Sequence, residues 1–323
     1  MGANLKILVT GGAGFIGSHL CDRLLELGHE VWCYDNLESG TEINLVTASS
    51  NSNFHFIRGD VRDGLPDVTV EQVYNLACPG SPREYRRDGI GTLRTNFVGT
   101  LNALEYCRKQ GARLLQASTS EIYGDPDVHP QPEDYVGAVS CVGPRACYDE
   151  GKRVAETLCY DFNRQHGTEI RVARLFNTYG PRMRIRDGRA VPAFISQALV
   201  NEDVTVFGDG SQTRSFCYIS DLVDGIIRLM LSKENHPINI GNPQEMTIKQ
   251  IAELIIQMTG SKSRIVYKPL PTDDPKVRQP DITRARTLLG WTPRVDTDEG
   301  LRLAIINGGA GFTLEAPASP PTW

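Results

Sequence analysis

The sequence has no apolar run near bilayer length, no Cys-x-x-Cys pair among its eight cysteines, no metal-ligand spacing among its six histidines and no run of basic residues. Each absence removes a class of protein. A membrane-spanning helix needs about 20 apolar residues in succession, so none is expected. The N-terminus passes almost directly into an apolar strand without a signal-like region, which predicts a cytoplasmic protein. Cys33, Cys107 and Cys159 fall inside apolar elements, which predicts buried reduced thiols rather than a disulfide framework. The scattered histidines predict no metal site. A net charge of −5 with nothing basic to offset it argues against nucleic-acid or anionic-membrane partners, so any nucleotide held here is small and locally clamped.

What is present is an ordinary soluble composition, 40% hydrophobic and 23% charged over 323 residues, enough for a large core in one domain or two lobes. The chain is organised around Thr10-Gly-Gly-Ala-Gly-Phe-Ile-Gly17, which follows the apolar run Lys6-Ile-Leu-Val9 and leads into a helix through Leu20, Leu24 and Leu27. Gly11, Gly14 and Gly17 lack Cβ atoms where a strand meets a helix, so the backbone can turn tightly and bring N–H groups to a pyrophosphate. Phe15 and Ile16 open that helix. A second strand, Glu30–Tyr34, ends at Asp35 and Asn36. A carboxylate at Asp35 accepts from both ribose hydroxyls and repels a 2′-phosphate, which predicts NAD rather than NADP. Gly308-Gly-Ala-Gly-Phe312 repeats the glycine run without the third glycine, and a glycine- and proline-rich tail is expected there instead of a helix.

Strands are predicted at 54–57, 71–77, 113–118 and 169–174, with helices over 92–108 and 145–166 between them. This alternation predicts an α/β fold, a doubly wound parallel (Rossmann) sheet with a smaller C-terminal substrate-binding lobe. Residues 1–176 form the expected NAD-binding domain, with a returning segment near 215–242. Residues 177–323 form mainly the second lobe, with a disordered or extended tail after about 307.

Ligands bind such sheets at the carboxyl ends of the strands. Two stretches fall there: Ser118-Thr-Ser-Glu-Ile-Tyr-Gly124, and Tyr148-Asp-Glu-Gly-Lys152, whose Tyr148 and Lys152 share a helix face. A phenol titrates near ~10, so bringing it to neutrality takes roughly 4 kcal/mol of selective stabilisation. An ammonium one turn away and a nicotinamide cation push that way, making a base for a sugar hydroxyl while hydride leaves the same carbon.

With these motifs in order, the sequence resembles the extended short-chain dehydrogenases/reductases, and within them the UDP-glucuronic acid decarboxylases (UDP-xylose synthases). The resemblance runs from about Leu5 to Ile305. It rests on Ser118–Asp125, Gly143–Glu156, Arg174–Met183 and Arg278–Ile282. It implies oxidation of the sugar C4 by bound NAD, loss of the carboxylate as CO2 and return of the hydride to give UDP-xylose.

By match to the family pattern, Thr119 would bond the C4 oxygen, Tyr148 would accept the proton, and Lys152 would hold the nicotinamide ribose. Glu121 would orient the sugar or handle the C5 proton, and Arg278 would clamp an anion. Asp60 and Val61 would meet adenine. Ala77, Thr95 and Ser118 would line the cofactor groove, and Asn177, Arg182 and Arg214 would contact the UDP-sugar. The triplet Thr119-Ser120-Glu121 discriminates by chemistry. Dehydratases of this family carry an acid where Ser120 stands, and decarboxylation needs none, because the C4 ketone accepts the electrons of the departing carboxylate. A homodimer through helices like 92–108 and 145–166 is implied.

Two regions depart from the family pattern: Ala77-Cys-Pro-Gly-Ser-Pro82 with the charged Arg83-Glu-Tyr-Arg-Arg87 behind it, and the C-terminus, where a final amphipathic helix is expected and a glycine–proline tail stands instead. A UDP-sugar 4-epimerase, a decarboxylase that releases the UDP-4-keto-pentose, and a nucleotide-sensing binding protein are the alternatives.

Overall fold

The computed structural model describes residues 4–184, 188–270 and 277–311. Its centre is a seven-stranded parallel sheet. The strands are β1 (Lys6–Thr10), β2 (Glu30–Asp35), β3 (Phe54–Arg58), β4 (Gln72–Asn75), β5 (Arg113–Thr119), β6 (Ile170–Leu175) and the edge strand Ile238–Ile240. From one edge the order is Ile238–Ile240, β6, β5, β4, β1, β2, β3. The order reverses at β1, whose neighbours β2 and β4 are reached by crossovers on opposite sides, and the crevice at such a reversal is where a doubly wound sheet binds its ligand.

Alternation along each strand sends side chains to opposite faces. Ile7 and Val9 of β1 pack with Leu20 and Leu24 of helix α1 (Phe15–Glu26) and with Leu222 and Ile226 of the helix Ile219–Leu231. Leu8, Val73, Leu114 and Val172 face the other way, into Leu104 and Cys107 of Thr100–Gln110 and Cys159 and Phe162 of Ala146–His166. Cys33, Cys107 and Cys159 are buried free thiols.

The helix expected over 92–108 starts earlier and is not uniform: Gly89–Arg94 leads through a π-helical turn, Thr95–Gly99, into Thr100–Gln110. The turn faces Gly151, where an added Cβ would lie 2.9 Å from Asn96 Nδ2. That side chain bonds back to Thr92 O at 3.0 Å.

After Asn177 the elements are shorter. Val204–Phe207 pairs in parallel with Ile265–Lys268, and Thr213–Ser215 pairs antiparallel with Glu245–Thr247. Helices Ala190–Leu199 and Ile248–Thr259 pack beside them. Where a glycine–proline tail was expected to replace the family's last helix, the helix Thr297–Gly311 continues through the second glycine run. Leu301 and Ala304, three apart, bury the same side of it against the core, which anchors the helix ahead of its glycines. The remainder of the expected tail, 312–323, lies outside the described residues. Among the described residues no helix is long and apolar enough to cross a membrane.

Candidate active site

A cavity of about 1540 Å³ opens where the carboxyl ends of β1, β2, β4 and β5 meet the segments after Asn177. Every residue singled out above for cofactor, substrate or chemistry lines it, except Arg278.

The cofactor half is shaped by what glycine permits. Gly11 adopts φ +70 and lies against the backbone of Ala77, where a Cβ would come within 2.8 Å of the chain. A Cβ on Gly17 would stand 2.2 Å from Gly11 O. Gly14 is the N-cap of α1 and brings no side-chain acceptor, which leaves the first-turn amides at Phe15 and Ile16 to an external anion at the positive end of the helix. Asp35 is 7% exposed, with Oδ2 accepting from Ala13 N at 3.0 Å and Oδ1 from Leu37 N at 2.8 Å, so its carboxylate is held at the end of β2. Burial raises its pKa against those two bonds and the Arg184 charge. Beside it Asn36 donates to Asp60 at 2.8 Å. The Arg62 hydrogen bond is the main cause that pulls Asp60 down to about 2. Val61 packs against Gly99, and Thr95 donates to Gly91 O at 2.9 Å with its side chain at the groove.

At the end of β5, Ser118 donates to Glu156, which is held bidentately by Arg174 at 3.0 and 2.8 Å. This buried pair sits one turn beyond Lys152 and fixes the strand end on the helix Ala146–His166. Thr119 Oγ1 accepts from Glu121 N at 3.3 Å and acts to lower the pKa of the neighbouring Tyr148 phenol. Lys152 is 4% exposed, donates to Ala117 O at 2.9 Å, and lies 5.8 Å from the centroid of the Tyr148 ring.

The protein's own groups do not lower the Tyr148 phenol as the sequence argument expected. Burial drives it well above its usual value, Cys78 adds to that, and the Thr119 hydrogen bond opposes it. Desolvation of a phenolate outweighs one hydrogen bond unless further positive charge is supplied from the cofactor half of the cavity.

Glu121 Oε2 takes Arg145 Nη2 at 2.6 Å and Arg278 Nη2 at 3.3 Å. Burial works against its charge, but Arg278, Arg145 and Arg214 outweigh it and hold the carboxyl below the usual glutamate range. Arg278 is 1% exposed, bonds the Ser120 carbonyl through Nη1, and stands behind Glu121 rather than in the cavity. Arg182 adopts φ +67 and pairs with Asp22 at 2.6 Å, while its Nη1 is buried without a hydrogen-bond partner among the described residues. Arg214 is anchored through Thr213 O at 2.8 Å, and Asn177 O accepts from Cys217 N at 2.8 Å.

Sequence reading missed two residues here. Tyr85 is 1% exposed and stacks on Tyr148, ring centroids 4.9 Å apart and planes 12° apart, with its hydroxyl buried and without a hydrogen-bond partner among the described residues. Arg145 ends the loop before the Tyr148 helix. The signals were there, since Tyr85 lies inside the charged departure from the family pattern and Arg145 three residues before Tyr148. Their partners are far away in sequence, and spacing does not show such contacts.

The NAD dependent epimerase/dehydratase family matches residues 7–241. The chain is 54% identical over 300 residues to UDP-glucuronic acid decarboxylase 1 of Danio rerio, covering 93% of this chain and 72% of the relative. It is 52% identical over 302 residues to UDP-glucuronic acid decarboxylase 5 of Arabidopsis thaliana, covering 93% and 88%. Among solved structures, the UDP-glucuronic acid 4-epimerase of Bacillus cereus in complex with UDP-glucuronic acid and NAD is 31% identical with a TM-score of 0.86, covering 94% of this chain and 99% of that one.

Proposed function

The chain belongs to the NAD dependent epimerase/dehydratase family and, within it, to the UDP-glucuronic acid decarboxylases, and from that premise we propose that it converts UDP-glucuronic acid to UDP-xylose on bound NAD. The cofactor half fits that dinucleotide: the glycine turn leaves no room for Cβ atoms, α1 presents uncapped first-turn amides, and the carboxylate of Asp35 is held at the ribose position. NAD, when bound, supplies the acceptor for the C4 hydride and later its return.

The chain's own residues do the rest. Thr119 and Tyr148 hold the C4 hydroxyl, and Tyr148 takes its proton as C4 becomes a ketone. The ketone stands β to the carboxylate, so the C–CO2 bond breaks with its electrons passing toward the C4 oxygen, no acid is needed at Ser120, and the resulting enolate takes a proton from water at C5 before the C4 ketone is reduced. Glu121, ionised under three arginines, is a proton acceptor or an orienting group and not a donor. Arg145 lies in the cavity with Glu121, where a cation meets a substrate anion. The single observation that carries the reading is Tyr148 in the same cavity as Thr119 and the Glu121–Arg145 pair, with a serine between Thr119 and Glu121.

Mass spectrometry of the products formed from UDP-glucuronic acid and NAD tests it. A UDP-pentose lighter by CO2 without accumulated NADH supports the full cycle, and a UDP-4-keto-pentose with stoichiometric NADH means that the cycle stops before reduction. Unchanged mass sinks decarboxylation and leaves 4-epimerisation, the activity named for the Bacillus cereus structure.

Residues 1–176 supply the dinucleotide half and 177–323 mainly the sugar-nucleotide half of the site. The protein works in the cytoplasm, and the eight free thiols suit that compartment. It acts as a homodimer. Ile90, Leu93 and Phe97 are 75%, 41% and 47% exposed at helical spacing, and Val154 is exposed on the neighbouring helix, an apolar face that a second copy would cover. Light scattering that returns a monomer at micromolar concentration refutes the dimer.

A further inference from the structure

The charged segment after β4 departs from the family pattern, and the structure gives it a task. Ser81 and Pro82 start the short helix Pro82–Arg87, with the Ser81 hydroxyl accepting from Glu84 N at 3.4 Å. The middle of an ion-pair chain lies on that helix. Arg87 reaches Glu38, in the loop after β2, at 3.4 Å, and Glu84 at 3.1 Å. Glu38 also meets Arg62, in the loop after β3, at 3.5 Å. Glu84 meets Arg184, in the segment after Thr178–Tyr179, at 3.9 Å. Arg184 in turn donates to Gly40 O at 3.5 Å.

Glu38, Glu84, Arg87 and Arg184 all line the cavity. The chain of charges therefore runs across the cofactor half, from the loops at the adenine end to the segment after Asn177. We propose that Arg62–Glu38–Arg87–Glu84–Arg184 is an electrostatic strap that keeps the dinucleotide in place through a turnover. The inference rests on the decarboxylase reading, because a cycle that oxidises and then reduces the same carbon is broken by any loss of NADH between its two halves.

Exposed ion pairs are individually weak and are screened by salt. Arg87 is 58% exposed, whereas Glu84 is 12% exposed, so the strap is firm on its inner side and yields on its outer side. Its opening is then the step that salt accelerates, and cofactor retention is set by Glu38 and Arg87 acting through each other.

The test uses the full chain loaded with NADH, chased with excess NAD, with loss of the NADH fluorescence followed at low and high salt. Glu38→Gln, Arg87→Met and the double variant are compared with the unmodified protein. Each single substitution is expected to raise the NADH release rate about two- to five-fold at low salt. The double variant is expected to be no faster than the faster single, and all three to show a shallower rise with salt. Unchanged release, additive effects or an unchanged salt slope overturn the strap while the site reading stands. An unmodified protein that binds no NADH overturns both.

Discussion

Glu121 divides one carboxylate oxygen between two guanidiniums that come from separate parts of the chain, Arg145 at 2.6 Å and Arg278 at 3.3 Å. Arg278 approaches from behind, buried against the Ser120 carbonyl, and Arg145 from the cavity side. The arrangement keeps Glu121 ionised and aimed at the place where Tyr148 and Thr119 meet the sugar. Converting Glu121 to Gln removes the charge and leaves the arginines facing each other. Turnover is expected to fall by roughly 10²-fold or more, and the acid limb of the pH–rate profile to lie below the usual glutamate value of ~4.3 in the unmodified enzyme. Arg278→Met is expected to cost about 3 kcal/mol or more of stability, read by urea denaturation, because it strips a buried partner from a charged group.

Tyr148→Phe deletes the hydroxyl that we propose takes the C4 proton. The expected loss of turnover is on the order of 10³-fold or greater, with NADH binding retained by fluorescence titration, because the cofactor half is built from other elements. Turnover at the unmodified rate would remove Tyr148 from the base role.

Asp149 follows Tyr148 and is 8% exposed, with Oδ1 lacking a hydrogen-bond partner among the described residues. Burial, then the Glu121 charge, raises its carboxyl to about 7. The folded state therefore holds a proton that the unfolded chain gives up near ~3.9. The stability this contributes is present in full below about pH 4 and is lost as pH rises to about 7, a slope worth on the order of 3–4 kcal/mol. Asp149→Asn should flatten that slope. Denaturant midpoints at pH 5 and pH 8 should converge in the variant, and an unchanged pH difference would show that Asp149 titrates normally.

Gly17→Ala places a methyl where the distance to Gly11 O is 2.2 Å. The turn has to open, and the expected result is a loss of about 1–3 kcal/mol in stability together with loss of NADH binding. Gly28→Ala serves as a control: unlike Gly17 its φ is positive, at +86, but no atom lies within 4 Å of the added Cβ. It is expected to lose stability from backbone strain and to keep NADH binding.

Much of this site is local chemistry and could be read in one dimension. The glycine turn depends on missing Cβ atoms at 11, 14 and 17, Asp35 ends an apolar strand, and Tyr148 and Lys152 are one helical turn apart. Strand–helix alternation of such length leads to a parallel, doubly wound sheet, because short right-handed crossovers allow little else. The returning strand at 238–240 was legible as two isoleucines in a short segment bounded by Pro237 and Gly241.

Tertiary structure alone decided what charge and burial do once distant segments meet. Glu121 is ionised because Arg278, far along the chain, folds behind it, and Tyr148 is pushed up because burial, with Tyr85 stacked on its ring, takes it out of water. Arg278 became a support for Glu121 rather than a wall of the cavity, and the charged stretch 83–87 became part of a strap across the groove. Covalent spacing sets which residues share a helix face or a strand end. Desolvation and Coulomb attraction act through space, and the neighbours that determine them are known only once the chain has folded.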